Sequence, residues 1–283
     1  MFERILVPVE LGESDELVMY FLSGLVRYGT REAVLIHSAR ITGVEQAVAL
    51  RQEHELTERM DALAAVVEGA GISVRTILGQ NEPLTDVMEA AHAESASLIL
   101  TGSRGRSAIN ELTVGSTSEM IGRTSPVPVL MLPFSCISGS SPQHAARLGE
   151  NLMKRAVYTT DFSDESERML DLIKSLDGSA LGCVYISHVV NPREIRDHRE
   201  ARVRMLRRVL AAIRAELEAS GIKAQSELGI GHVIDELKET ADYLHATCFM
   251  IGSRGRNLGE QILLGSVSAH VIRDAGLPVL VTH

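Results

Sequence analysis

The sequence predicts an α/β protein of two homologous domains, each a parallel β-sheet with helices on both faces. Three observations predict it. Short aliphatic runs alternate with helix-periodic stretches along the whole chain, the pattern of strand–helix–strand units. Apolar residues make up 45% of the chain but aromatic ones only 4%, with no Trp. An aliphatic core of that kind suits parallel strands buried on both faces. Finally, the landmarks of residues 5–132 recur about 150 residues later.

In order, Ile5–Val9 is a β-branched run read as the first strand, with Pro8 at its end, where a missing N–H does least harm. Glu13–Tyr28 carries Leu17, Val18, Phe21, Leu22, Leu25 and Val26 at helical spacing; Ser14 or the nearby acids cap its start and Gly29 closes it. Ala33–Ala39 is the second strand. Gln46–Val67 is a long helix, ended by Gly69-Ala70-Gly71. Ile72–Leu78 is the third strand, Leu84–Ala93 a helix, Ser97–Leu100 the fourth strand, Gly115–Arg123 a helix and Pro128–Leu132 the fifth strand. Crossovers in such sheets are right-handed, and ligands sit at the carboxyl ends of the strands, near the switch in strand order.

The second half repeats these marks. Asp161 lies 151 residues after Glu10, His188 lies 151 after His37, and Gly229 and Pro278 lie 150 after Gly79 and Pro128. The expected domains are 1–134 and 154–283, with 135–153, including Ser138-Gly139-Ser140-Ser141-Pro142, as linker.

One motif occurs in both halves after a strand: Gly102-x2-Gly105-x9-Gly115-Ser116 and Gly252-x2-Gly255-x9-Gly265-Ser266. Glycine lets backbone approach a ligand closely, and a helix start offers free N–H groups and a favourable dipole, so a loop of this kind is suited to phosphate. Tight turns alone would not explain a serine after the third glycine in both copies. Arg104, Arg106, Arg254 and Arg256 flank the loops, read equally as phosphate ligands or as solvated charges.

The formal charge of −9 argues against a general nucleic-acid or anionic-membrane binder. Cys136, Cys183 and Cys248 are isolated, without metal-site or disulfide spacing, as in a reducing cytoplasm. The chain enters a strand almost at once, so no signal peptide is expected, and no apolar run approaches the roughly 18 residues of a membrane span. The P-loop, GxGxxG, GxSxG and kinase motifs are absent.

The spacing Gly-x2-Gly-x9-Gly-Ser, with an acid after the first strand and His-x at the end of the second, resembles the nucleotide signature of the universal stress protein family. The likeness covers nearly the whole chain as two tandem domains. It implies Rossmann-like domains of five parallel strands in the order 3-2-1-4-5, and binding of ATP or another adenine nucleotide. In the second domain it implies contacts from Thr160, Asp161, Val189, Gly252, Arg254, Gly255, Gly265, Ser266, Val267 and Ser268. The Val189 backbone would read the adenine edge. In the first domain it implies Gly102, Arg104, Gly105, Gly115, Ser116, Thr117 and Ser118. There Glu10 replaces the family's Asp, Leu11-Gly12 follow in place of Phe-Ser, and Ser38 replaces Val after the histidine. The second domain is therefore expected to be the better site. The resemblance further implies that the last strands of two domains pair, here as an internal pseudo-dimer; pairing of chains into a homodimer is left open.

His37 and His188 lack a Cys or Asp partner at motif spacing and read as structural strand-end histidines. The arginine-rich stretch Arg193–Ser220, with Leu206, Leu210, Ile213 and Leu217 as its apolar stripe, reads as a self-paired solvated helix face. No catalytic residue and no protein metal ligand is assigned. The leading expectation is a nucleotide-dependent stress or signalling switch without rapid turnover. The alternatives are a slow ATP hydrolase with Mg²⁺ held through the phosphates, and a structural dimerisation module with an empty site.

Overall fold

The structure is a computed structural model that describes residues 2–39, 46–102, 116–195, 199–253, 266–274 and 276–283. It divides into two compact units, Met1–Glu150 and Asn151–His283.

In the first unit, β1 (Arg4–Pro8), β2 (Glu32–Ser38), β3 (Ser73–Gly79), β4 (Leu98–Gly102) and β5 (Val129–Leu132) form a parallel sheet in the order 3-2-1-4-5. The central strand is flanked on both sides, with Leu6 opposite Val34 of β2 and Ile99 of β4. Ile5, Leu6 and Val7 are wholly buried. Each such side chain contributes roughly 1.5–3 kcal/mol relative to exposure. Helices α1 (Asp15–Gly24), α2 (Gln46–Glu68), α3 (Pro83–Ala93) and α4 (Ser116–Thr124) supply the covering layers; α1 packs on α2, and α3 on α4. The expected helix 13–28 is α1 followed by a tighter 3₁₀ turn, Leu25–Tyr28, closed by Gly29 in the left-handed conformation.

The stretch 135–153, read as linker, holds a 3₁₀ turn, Phe134–Cys136, and a helix, α5 (Pro142–Glu150). α5 lies against α1 in the same unit. Two glycines make that contact: a Cβ on Gly24 would lie 2.3 Å from the Ala146 carbonyl oxygen, and one on Gly149 only 2.1 Å from that of Phe21. Tyr28 donates its hydroxyl to the Glu150 carbonyl at 3.0 Å, holding the end of α5.

The second unit repeats the plan. β6 (Arg155–Thr159), β7 (Cys183–Val190), β8 (Ala224–Ile230), β9 (Cys248–Gly252) and β10 (Val279–Thr282) lie parallel in the order 8-7-6-9-10. Val157 stands opposite Tyr185 of β7 and Phe249 of β9. Helices α6 (Asp164–Ser175), α7 (Arg199–Ala219), α8 (Val233–Leu244) and α9 (Ser266–Asp274) accompany them, and Lys174 of α6 reaches Glu216 of α7 at 2.6 Å. Leu206, Leu210 and Leu217 of α7 are buried, and Ile213 is half-buried, as its periodicity predicts. Tyr158, the largest wholly buried side chain of β6, donates its hydroxyl to the Ser166 carbonyl at 2.6 Å, tying strand to helix. Burial pushes that phenol up to about 12.

The repeat extends to backbone strain. Four non-glycine residues have positive φ among the described residues, and they form two repeat-related pairs: Leu11 (57°) with Phe162 (60°), and Ser95 (51°) with His245 (48°). The second pair ends helices α3 and α8. The first pair lies in the loops after β1 and β6. Those loops stand at the carboxyl ends of the central strands, where the strand order reverses, the usual ligand position in such sheets.

Candidate functional site

In the second unit the site begins at buried Thr160, which follows β6. Its N–H donates to the Ser187 carbonyl (3.0 Å), and its hydroxyl accepts from the Phe162 N–H (3.0 Å). His188 Nδ1 lies 2.7 Å from the Thr160 carbonyl oxygen. A carbonyl only accepts, so Nδ1 carries the proton and the ring clamps the end of β7 to the end of β6. The first unit has the same clamp, with His37 Nδ1 2.8 Å from the Val9 carbonyl. Both histidines thus have a structural task. The Phe162 ring lies over His188, centroids 4.4 Å apart, and packs on the cluster around Val190 and Leu206.

In a parallel ladder, alternate residues direct both backbone groups to the same neighbouring strand. Ser187 faces β6, through the Thr160 N–H, and Val190 faces β8, through the Gly231 N–H. Val189 therefore directs its N–H and C=O to the β6 side, beyond the last paired residue of that strand. An adenine edge would need such groups. Ser38 has the same position, because Ile36 faces β1 through the Val9 N–H. Replacing Val by Ser thus changes the side chain while keeping this backbone provision.

Asp161 is more engaged than its spacing implies. Its Oδ1 accepts from the Ser163 N–H (3.1 Å) and hydroxyl (2.6 Å). Ser163 is the N-cap of α6, accepting from the Ser166 N–H at 3.4 Å. In the first unit the same task passes to a different residue. Asp15, at the start of α1, accepts the N–H groups of Glu10 (3.0 Å) and Gly12 (2.9 Å) on Oδ2, while Arg59 of α2 donates to the Leu11 carbonyl. Ser166 stands 151 residues after Asp15, so an acid in one unit corresponds to a hydroxyl in the other.

Burial raises the Asp15 carboxyl above the ordinary carboxylate range, against the pull of the Gly12, Glu10 and Leu11 amides and of His37. With the folded pKa above the unfolded one, the native state holds the extra proton in the window between them. Stability from this group is therefore lost as pH rises through that window. Asp15→Asn should accordingly gain thermal stability relative to wild type as pH rises from about 4, the ordinary carboxylate value. Melting curves across that range check it; an unchanged or narrowing difference contradicts it.

At the other wall, α4 and α9 begin with the serines of the motif, Ser116 and Ser266. Their first turns are pinned to the strand ends: buried Ser118 donates to the Gly102 carbonyl (2.5 Å), and buried Ser268 to that of Gly252 (2.8 Å). Ser118 also meets the Thr101 hydroxyl at 2.9 Å, a partner that Ile251 does not supply in the second unit. Thr117 follows in α4 and is half-buried.

The strand-end glycines differ. A Cβ on Gly252 would lie 2.9 Å from Glu165 Cβ and 3.1 Å from the Ser166 nitrogen, whereas one on Gly102 meets no described atom within 4 Å. The hydroxyl of Ser253, which is 1% exposed, has no partner among the described residues. Arg104, Gly105, Gly115, Arg254, Gly255 and Gly265 lie outside the described residues, and of Ser116, Ser266 and Val267 only the backbone is described. Sequence reasoning missed Asp15, Arg59 and Glu165 as parts of these loops. Only the acids next to Ser14 carried a signal, and that signal was read as helix capping.

The fold and the paired strand ends define an α/β protein whose loops after β1 and β6 repeat at the two strand-order reversals. The model of the universal stress protein family matches residues 1–133 and again 153–283, and the chain belongs to that family. Universal stress protein Slr1230 of Synechocystis sp. is 24% identical over 281 residues, spanning 98% of this chain and 88% of that protein. Universal stress protein MJ0531 of Methanocaldococcus jannaschii is 33% identical over 146 residues, 48% of this chain and 85% of the relative. A universal stress protein of Archaeoglobus fulgidus DSM 4304 superposes with a TM-score of 0.75 at 25% identity, covering 100% of this chain and 98% of its own. No helix among the described residues is long and apolar enough to cross a membrane.

Proposed function

We propose that the protein is a cytoplasmic adenine-nucleotide-binding switch, taking ATP, ADP or AMP at the carboxyl ends of β6 and β9, without rapid turnover. The observation that carries this reading is the joining of two walls at one strand-order reversal. On one side Val189 directs its backbone groups to the β6 side, beyond the last paired residue of that strand. On the other, Ser268 pins the N-terminal turn of α9 to the end of β9. Backbone donors and acceptors suit a purine edge, and a helix N-terminus suits phosphate. The family resemblance points the same way. Mg²⁺ would accompany the phosphates as their counter-ion.

The first unit supports a second, weaker site. It has the same serine pin and the same backbone orientation at Ser38, while Asp15 and Arg59 hold its adenine-side loop. Nucleotide occupancy would act by favouring one conformation or partner over another. Slow hydrolysis is the lesser reading: His37 and His188 each give Nδ1–H to a strand-end carbonyl, a structural task, and no acid or base is assigned to the phosphate side.

Isothermal titration of nucleotide-stripped protein with ATP and with AMP tests the proposal. Saturable heat is expected for ATP, with Gly265→Val removing the tighter site. Absence of heat at millimolar ATP rules the proposal out. Phosphate release that survives Gly265→Val unchanged would belong to a contaminant.

A further inference from the structure

The corresponding helices of the two units carry opposite charge. α2 holds two arginines, Arg51 and Arg59, against five acids, a net charge of −3. α7 holds six arginines against three glutamates, a net charge of +3, within a chain whose formal charge is −9. The arginines of α7 are only partly matched along the helix. Arg204 meets Glu200 at 3.5 Å and Arg214 meets Glu218 at 3.7 Å. Arg202, Arg207 and Arg208 are exposed and make no ion pair among the described residues, so the face is less self-paired than its sequence suggests. On α2, Asp61 and Glu68 are exposed and likewise without an ion pair among the described residues.

Both helices also expose apolar side chains. On α2, Val48 and Leu50 are 44% and 58% exposed, and residues 47–59 include no buried side chain. On α7, Met205 is 56% and Val209 37% exposed. At 3.6 residues per turn, Glu58 lies on the side of α2 opposite its buried Met60, Ala64 and Val67, and exposed Asp61 lies about a quarter turn from that buried face. Arg208 lies opposite the buried leucines of α7, with exposed Met205 about a third of a turn from them. Each helix is about 30–35 Å long at 1.5 Å per residue, so the two faces match in extent and are opposite in sign.

We infer that α7 of one chain docks on α2 of a second copy of this chain. Charge complementarity selects this occupant. The basic face needs an acidic surface with apolar contacts among its charges, and the chain itself presents one. A nucleic acid fits less well, because the exposed side chains between the arginines are Met, Val and Ala with no aromatic to stack on a base. The chain's overall negative charge would also repel a polyanion. Oppositely charged faces steer encounter and set register, with strength that falls as salt rises.

Sedimentation velocity of the full chain from 5 to 200 µM, at low and high salt, is the test. Wild type is expected to self-associate, more weakly at high salt. Arg202→Glu with Arg208→Glu, and separately Glu58→Arg with Asp61→Arg, should each weaken association at least tenfold. Mixing the two variants, or combining all four changes in one chain, should restore it, because the signs are again complementary. Circular dichroism of each variant verifies that the helices fold. The inference is overturned if wild type remains monomeric throughout, if either reversal leaves association unchanged, or if mixing fails to restore it. A monomeric wild type that shifts a labelled oligonucleotide also overturns it, and assigns α7 to nucleic acid instead.

Discussion

Gly149→Val is expected to destabilise the first unit by about 1–3 kcal/mol, the usual cost of forcing extra methyl groups into a filled contact. A Cβ at this position would lie 2.1 Å from the Phe21 carbonyl oxygen and 3.2 Å from the Gly24 Cα. Both are backbone atoms, and neither can rotate away. α5 must then leave α1, taking wholly buried Ala145 with it and breaking the bond from the Tyr28 hydroxyl to the Glu150 carbonyl. The readouts are a lower urea midpoint and faster proteolysis between residues 133 and 150. Gly12→Ala is the control, because a Cβ at Gly12 meets no described atom within 4 Å. Equal midpoints for Gly149→Val and wild type would mean that α5 contributes nothing to the unit.

Ser268→Ala is expected to cost more than Ser118→Ala, although the two serines correspond. Each donates to a strand-end carbonyl from the first turn of the following helix. Removing Ser268 takes from the Gly252 carbonyl its serine donor in a buried setting, at a cost of about 1–3 kcal/mol. Removing Ser118 leaves the Thr101 hydroxyl 3.3 Å from the Gly102 carbonyl, and that hydroxyl, released from its contact with Ser118, can turn towards it. Under the nucleotide reading, Ser268→Ala also loosens the helix start facing the phosphates, and ATP affinity at the second unit should fall about tenfold, which corresponds to ~1.4 kcal/mol. Urea unfolding and titration calorimetry read the two effects separately. A larger loss for Ser118→Ala would contradict the argument, and removing Thr101 together with Ser118 should erase the difference between the units.

Much of the fold is legible in the residues because burial has a period. The aliphatic runs became strands with wholly buried centres, and the leucines of α7 became its buried face at the spacing that predicted it. The repeat was legible because the landmarks keep nearly one offset, and the structure extends it to the paired positive-φ residues. The site was legible only in outline. Asp161 stands where the acid was expected, but its Oδ1 holds the N-cap serine of α6. The substitution of Ser38 for Val promised a poorer adenine wall in the first unit. The ladder orientation there is the same as at Val189, because it is set by the strand and not by the side chain. The crowding of Gly252 by Glu165 left no trace in the motif, which reads the same in both halves.

The sequence by itself determined the tandem α/β plan and the family, because aliphatic period and glycine spacing act through local geometry that each segment carries with it. Only the tertiary structure decided which group satisfies which. It placed Asp15 on the loop amides of the first unit, the histidines on strand-end carbonyls, and α5 on α1 through paired glycines. Hydrogen bonds and close backbone contacts are settled over about 3 Å, between residues that can be more than a hundred positions apart.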